Sequence, residues 1–139
     1  GTSAINSAQP MDVPPPPTIP PDTPPAVIEQ IEQPRPVTRE CLNRVVEHYQ
    51  VHPVVLSLVA GVEGGEIGIE VDNTNATQDL GVMQINTIHL ERLSEHGITR
   101  KMVANNGCVN LSVAAWYLRE VTEGVTVETP RDLFSAIAR

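Results

Sequence analysis

The sequence predicts a mainly helical domain with one irregular excursion, preceded by a disordered proline-rich arm. Eleven of the 13 prolines fall within the first 38 of 139 residues, and so proline-dense a stretch is not expected to build hydrogen-bonded ladders or collapse onto a core. From Thr38 onward, apolar residues recur at the i, i+3, i+4, i+7 spacing of a helix face. That period vanishes in "EIGIEVDNTNATQD", residues 66–79, which reads as a loop or small irregular hairpin. The expected division is an arm or linker over residues 1–37 and one domain over residues 38–139, the number of domains this length supports.

The elements follow in order. Thr38 is an N-cap candidate for a first helix carrying Leu42, Val45, Val46 and Tyr49 on one face. Pro53 suits the first position of a second helix, where Val55, Leu58, Val59 and Val62 repeat the spacing until Gly64 and Gly65 stop it. Thr87 is expected to cap a short helix carrying Ile88, Leu90 and Leu93 that ends at Gly97, and Thr99 to start another before "NNG". Cys108 opens a longer helix with Leu111, Ala115 and Leu118 on one face, ended by Gly124. Thr129, Pro130 and Asp132 signal a last helix running to Arg139.

Charge and composition exclude several functions. The net charge of -8 divides into one Arg against four carboxylates in the first 38 residues and eight Lys plus Arg against thirteen Asp plus Glu in the remainder. With no basic cluster and 3% aromatic residues, nucleic acid and anionic membrane surfaces are not expected partners. No run of about 18 apolar residues exists to span a bilayer, and no cofactor motif is visible. The opening "GTSAINSAQP" lacks the basic start and apolar stretch of an export signal, so Gly1-Thr2 reads as a cloning remnant of a chain whose signal was removed. Cys41 and Cys108 either pair in an oxidising compartment or remain two buried thiols. Closing so long a loop would stabilise the fold by about 4 kcal/mol in the chain-entropy model.

The stretch "LVAGVEGGEIG", residues 58–68, puts a carboxylate, Glu63, in the last turn of an apolar helix. The negative end of the helix dipole and neighbours such as Val59 and Val62 both disfavour ionisation, which is how a general acid near neutral pH is made. The bland alternative is a surface glutamate on a frayed turn. Some twenty residues later comes "DLGVMQIN", residues 79–86. Here Gly81 permits close backbone approach, Met83 offers an adaptable apolar wall, and Gln84 and Asn86 supply amides suited to the hydroxyl and acetamido groups of a sugar. As a bare pattern it equally fits an edge strand.

"VEGG", then "DLGVMQIN", then "GCVNLSVAAWYL", taken together, resemble the lytic transglycosylases of the lysozyme superfamily, in particular the small branch accompanying type IV secretion, conjugation and pilus systems. The likeness runs from about Cys41 to Arg139. It implies a mainly α, lysozyme-like fold of the goose-type/SLT kind. It also implies that Glu63 is catalytic, that Gly81, Met83, Gln84 and Asn86 line the substrate cleft, and that Cys41 and Cys108 form a disulfide. The implied reaction is cleavage of the MurNAc-GlcNAc β-1,4 bond. Glu63 protonates the bridging oxygen and then serves as base for the muramoyl C6 hydroxyl, leaving a 1,6-anhydro end without a second catalytic carboxylate. Peptidoglycan strands, components of an envelope machine and a periplasmic location come with the resemblance, as does the absence of any cofactor or metal.

Three departures qualify the match. Gly64 stands where the family has serine after its glutamate. The family's second serine has no direct counterpart, which leaves Thr74 or Asn75 as candidates. Its closing Tyr-Asn or Tyr-His motif finds no match before Arg139, so either the tyrosine lies beyond this chain or activity is weakened. Two other readings therefore stand beside the lyase: a non-catalytic wall-binding assembly module on the same fold, and a lysozyme-like hydrolase. The arm could serve either as recruiter of a secretion component. Glu66, Glu70 and Asp72 read as solvated loop charges, Asp79 as ordering the turn before Gly81, and His89 and His96 as solvated. His48 and His52, four apart near Cys41, suggest zinc only weakly, because His52 reads better as a helix cap. Trp116 and Tyr117 read as core, and Ser112 has no base or elbow motif for nucleophilic chemistry.

Overall fold

The computed structural model describes residues 13–57 and 66–122. The described part is helical around one small sheet. Helix α1 spans Pro25–Ile31, α2 Arg39–Tyr49, α3 Leu90–Ser94, α4 Arg100–Asn105 and α5 Gly107–Thr122, with further helical residues at 53–57. Strands β1 (Glu70–Asp72), β2 (Gln78–Leu80) and β3 (Ile85–Asn86) form an antiparallel sheet in that order.

Local signals set most helix starts. Thr38 Oγ1 accepts from Cys41 N at 3.1 Å and Thr99 Oγ1 from Met102 N at 3.2 Å, so both predicted caps are in place. His52 Nδ1 accepts from Val54 N at 3.1 Å, capping the turn opened by Pro53. Thr87 does not act as a cap. Asn86 Oδ1 takes that role, accepting from Ile88 N at 2.9 Å ahead of a 3-10 turn at Thr87–His89, while Thr87 Oγ1 accepts from Gln78 N. Ile88, expected on an apolar face, is 67% exposed. Helix α5 is capped by Asn106, whose Oδ1 accepts from Cys108 N and Val109 N.

The core forms around α5. Leu111, Ala115 and Leu118 are buried as the spacing predicts, but so are Val113, Ala114 and Trp116, which makes α5 a central helix with apolar residues on most sides. Helix α2 contributes Val45 and Tyr49, α4 contributes Met102 and Val103, and the sheet contributes Leu80 and Ile85. Leu56 is buried too, although the expected face of its helix centred on Val55; Leu58, Val59 and Val62 lie outside the described residues, as does the final helix predicted after Thr129. The excursion after residue 66 is the hairpin β1–β2, closed by Asn73 N donating to Thr77 O at 2.9 Å and extended by a third strand from "QIN".

The described part of the arm differs from expectation. Residues 13–37 are packed against the domain as a strap. Tyr49 Oη donates to Pro15 O at 2.8 Å, Ile19 N to His96 O at 2.8 Å, Arg35 N to Asn105 O at 3.0 Å, and Gly107 N to Arg35 O at 2.7 Å. Asn105 Nδ2 reaches Glu32 O, Asn106 Nδ2 reaches Ile31 O, and Thr99 Oγ1 donates to Glu32 Oε2 at 2.7 Å. Ile19, Ile28 and Ile31 pack on the core. Proline removes donors but not acceptors: Pro15 accepts at its carbonyl, and the interspersed Ile19, Ile31, Glu32 and Arg35 supply the remaining backbone donors and acceptors. Two glycines make room for the strap: a Cβ on Gly97 would lie 2.6 Å from Ile19 O, and one on Gly107 would lie 2.7 Å from Val37 N.

Two outcomes follow from the strap. Deleting residues 1–37 removes these bonds and the three isoleucines and lowers the melting temperature by about 10 °C or more, read by circular dichroism. Burial pushes the Tyr49 phenol up to about 12 from its ordinary 10.0. The folded state thus binds this proton more tightly than the unfolded chain does. The associated stability is intact below pH 10 and is lost as pH climbs toward 12, and chemical denaturation at stepped pH measures it.

Candidate functional site

Glu63 and Gly64 lie outside the described residues; the described part of the site begins in the segment that follows them. Leu80 ends β2 inside the core, and the chain must then reverse into β3. Gly81 at φ +72° and Gln84 at φ +54° make the reversal, closed by Gln84 N donating to Gly81 O at 3.1 Å. A side chain at 81 would not fit, since its Cβ would lie 2.8 Å from Val103 O and closer still to the Asn110 amide. A glutamine in the left-handed region is uncommon, and such positions concentrate where a side chain must be aimed.

Asn110 holds this turn. Its side chain is fully buried on α5. Oδ1 accepts from Met83 N at 2.8 Å, and Nδ2 donates to Leu80 O at 2.9 Å and Val103 O at 2.8 Å. One amide thus joins the sheet turn, α4 and α5. The pattern of "GCVNLSVAAWYL" alone assigns this asparagine no role. An amide flanked by Val109 and Leu111 on a helix this rich in apolar residues was the available signal.

The predicted cleft residues separate in the structure. Gln84 is half-buried with Nε2 on Gly81 O at 3.1 Å, and its Oε1 accepts nothing among the described residues. Met83 is 4% exposed, so its side chain is part of the core and not of an open wall. Asn86 is committed internally: besides capping the 3-10 turn, it donates to Thr77 Oγ1 at 3.2 Å and Asp79 Oδ1 at 3.1 Å. Thr74 and Asn75 sit exposed at the hairpin tip, with Asn75 Oδ1 accepting from Thr77 Oγ1 at 2.6 Å.

Thr77, which the sequence did not single out, forms a polar cluster with Asp79. Asn73 Nδ2 donates to both, as Asn86 Nδ2 does. Thr77 lies just ahead of β2, two residues before Asp79, and Asp79 is paired with Asn86 across the sheet. Asp79 therefore braces two strands and does not order the turn before Gly81. Glu70 and Asp72 lie on β1, where Glu70 pairs with Arg100 at 2.7 Å and Asp72 accepts from Gln78 at 2.6 Å.

The histidines have defined places. His89 is half-buried against Tyr117, ring centroids 4.4 Å apart. Burial lowers its pKa, partly opposed by Glu120 and reinforced by Arg92. Arg92 forms a two-point bridge to Glu120 at 2.7 Å and lies 4.8 Å over the buried Trp116 ring. His96 Nδ1 meets Thr18 Oγ1 at 3.1 Å. Cys41 is bonded to Cys108, which removes it from any ligand set with His48 and His52. No cluster of three or more metal-ligating side chains occurs, and no helix is long and apolar enough to cross a membrane, among the described residues.

The model of the transglycosylase SLT domain matches residues 40–137, and the chain belongs to that family, a mainly α, lysozyme-like fold. Among individual proteins, it is similar to Protein IpgF of Shigella sonnei and of Shigella flexneri, each 32% identical over 83 residues, covering 58% of this chain and 54% of the relative. It is also similar to Invasion protein IagB of Salmonella typhimurium strain LT2, 29% identical over 86 residues, covering 59% of this chain and 52% of the relative. The chain thus spans about half the length of the curated relatives it matches.

Asn110→Ala leaves Met83 N–H and the carbonyls of Leu80 and Val103 without partners in a dry interior. The expected loss is about 3 kcal/mol or more in urea unfolding, with the turn at residues 81–84 becoming the fastest-exchanging part of the sheet region by amide hydrogen exchange.

Proposed function

We propose that this chain is a peptidoglycan lytic transglycosylase domain that cuts the MurNAc-GlcNAc β-1,4 bond and leaves a 1,6-anhydro-MurNAc end. Glu63 is the general acid and then the base, and the muramoyl C6 hydroxyl is the internal nucleophile. What supports the reading is the clamped turn at Gly81–Gln84, which holds a left-handed glutamine whose Oε1 accepts nothing among the described residues, within a segment that resembles the family's cleft motif. Gln84 is the substrate-contacting residue of that turn, and Asn86 acts through it by bracing β2 and the 3-10 turn. Thr77 and Asp79 complete the brace.

The domain works in the periplasm, where its disulfide is stable, and opens the wall for an envelope-spanning secretion, conjugation or pilus machine. The name of one relative, an invasion protein, supports that association. Digestion of purified sacculi tests the reaction: wild-type protein releases anhydromuropeptides, and Glu63→Gln lowers release by about a thousandfold without shifting the melting temperature. Reducing ends in place of anhydro ends would reassign the chemistry to hydrolysis. Gly64 favours one rival, a wall-binding module without turnover, which would bind insoluble wall and release nothing in either form.

A further inference from the structure

The disulfide lies where the strap crosses two helices, and its two sulfurs are placed unequally. Cys41, in the first turn of α2, is 1% exposed. Cys108, in the first turn of α5, is half-buried and lines an open groove of about 660 Å³. Pro15, Pro16, Pro17 and Thr18 of the strap border that groove opposite Arg44 and His48 of α2. The Arg44 guanidinium donates toward Cys108 Sγ at 3.8 Å and forms no ion pair among the described residues.

A guanidinium beside a partly exposed sulfur stabilises the thiolate, which is the nucleophile in disulfide exchange. Cys41 has the opposite character, since a sulfur shut in the core cannot meet an external partner but is in reach of Cys108, the Cα atoms being 5.8 Å apart. We propose that Cys108 is the exchange site through which a disulfide-bearing thiol oxidoreductase closes the Cys41–Cys108 bond, with Cys41 as the resolving sulfur. The Cys108 thiolate attacks the partner's disulfide, forming a mixed disulfide and releasing one partner thiolate. The Cys41 thiolate then attacks Cys108 Sγ, forming the intramolecular bond and expelling the second partner thiolate. Two electrons pass from the chain to the partner, and the two protons of the chain's thiols go to solvent or to the released sulfurs. The groove is the approach for the partner's sulfur, and Arg44 is a positioning residue for the exchange.

Competitive alkylation of the folded, reduced protein with limiting iodoacetamide, mapped by mass spectrometry, tests this without reference to wall cleavage. Cys108 should label about tenfold or more faster than Cys41, and Arg44→Gln should slow Cys108 by about threefold while Arg44→Lys keeps most of the rate. With oxidised glutathione as the probe disulfide, Cys41→Ser should accumulate a mixed disulfide on Cys108, and Cys108→Ser should accumulate far less on Cys41. Equal labelling of the two thiols, including equality because reduction unfolds the domain, overturns the proposal, as does faster trapping on Cys41.

Discussion

The Asn110 amide makes its contacts entirely to backbone, and the rest of the described structure is arranged so that it can. Both of its N–H groups and its oxygen are used, so a group whose burial would otherwise cost several kcal/mol becomes the point where α4, α5 and the sheet turn meet. Its position forces a glycine at 81, because Val103 O and the Asn110 amide occupy the space of a Cβ. Gly81 in turn fixes the direction of β3, and β3 carries Asn86 to the cluster of Thr77 and Asp79. The candidate substrate contact at Gln84 therefore rests on an interior hydrogen-bond network, and a rigid support of this kind holds a side chain at a defined angle better than a free loop does.

A second support holds the helical face away from the sheet. The disulfide ties α2 to α5 across 67 residues of chain, and in the chain-entropy model such a closure is worth about 4 kcal/mol. Arg119 on α5 donates to Tyr49 O at the end of α2, and the Tyr49 hydroxyl holds Pro15 of the strap. A domain of this size buries a modest share of its surface. Covalent linkage and a wrapped proline segment add to that burial without lengthening the core.

The parts of the fold written in short-range chemistry were legible in the sequence. Thr38, His52 with Pro53, and Thr99 start helices through contacts within three residues, so composition and spacing sufficed. The mainly helical class and the irregular excursion after residue 66, a loop or small hairpin on sequence grounds, followed from where the apolar period runs and where it stops. Asn86 misled because asparagine suits both a sugar contact and a helix cap, and only the backbone direction decides between them. The strap misled for a different reason: proline content forbids a ladder but says nothing about carbonyl acceptance by a distant partner, and Asn105, Asn106 and Gly107 supply that partner. Asn110 stayed hidden because its three bonds reach residues 7, 27 and 30 positions away, beyond any local window.

The distance between the strap and its docking points also orders assembly. Residues 31 and 32 leave the ribosome first but bind side chains encoded 75 and 73 positions later. Nascent chain up to α3 has nowhere to lay this segment, and Cys41 has no partner sulfur until α5 emerges. Wrapping and crosslinking are thus the closing steps of biogenesis, completed only when the central helix is present.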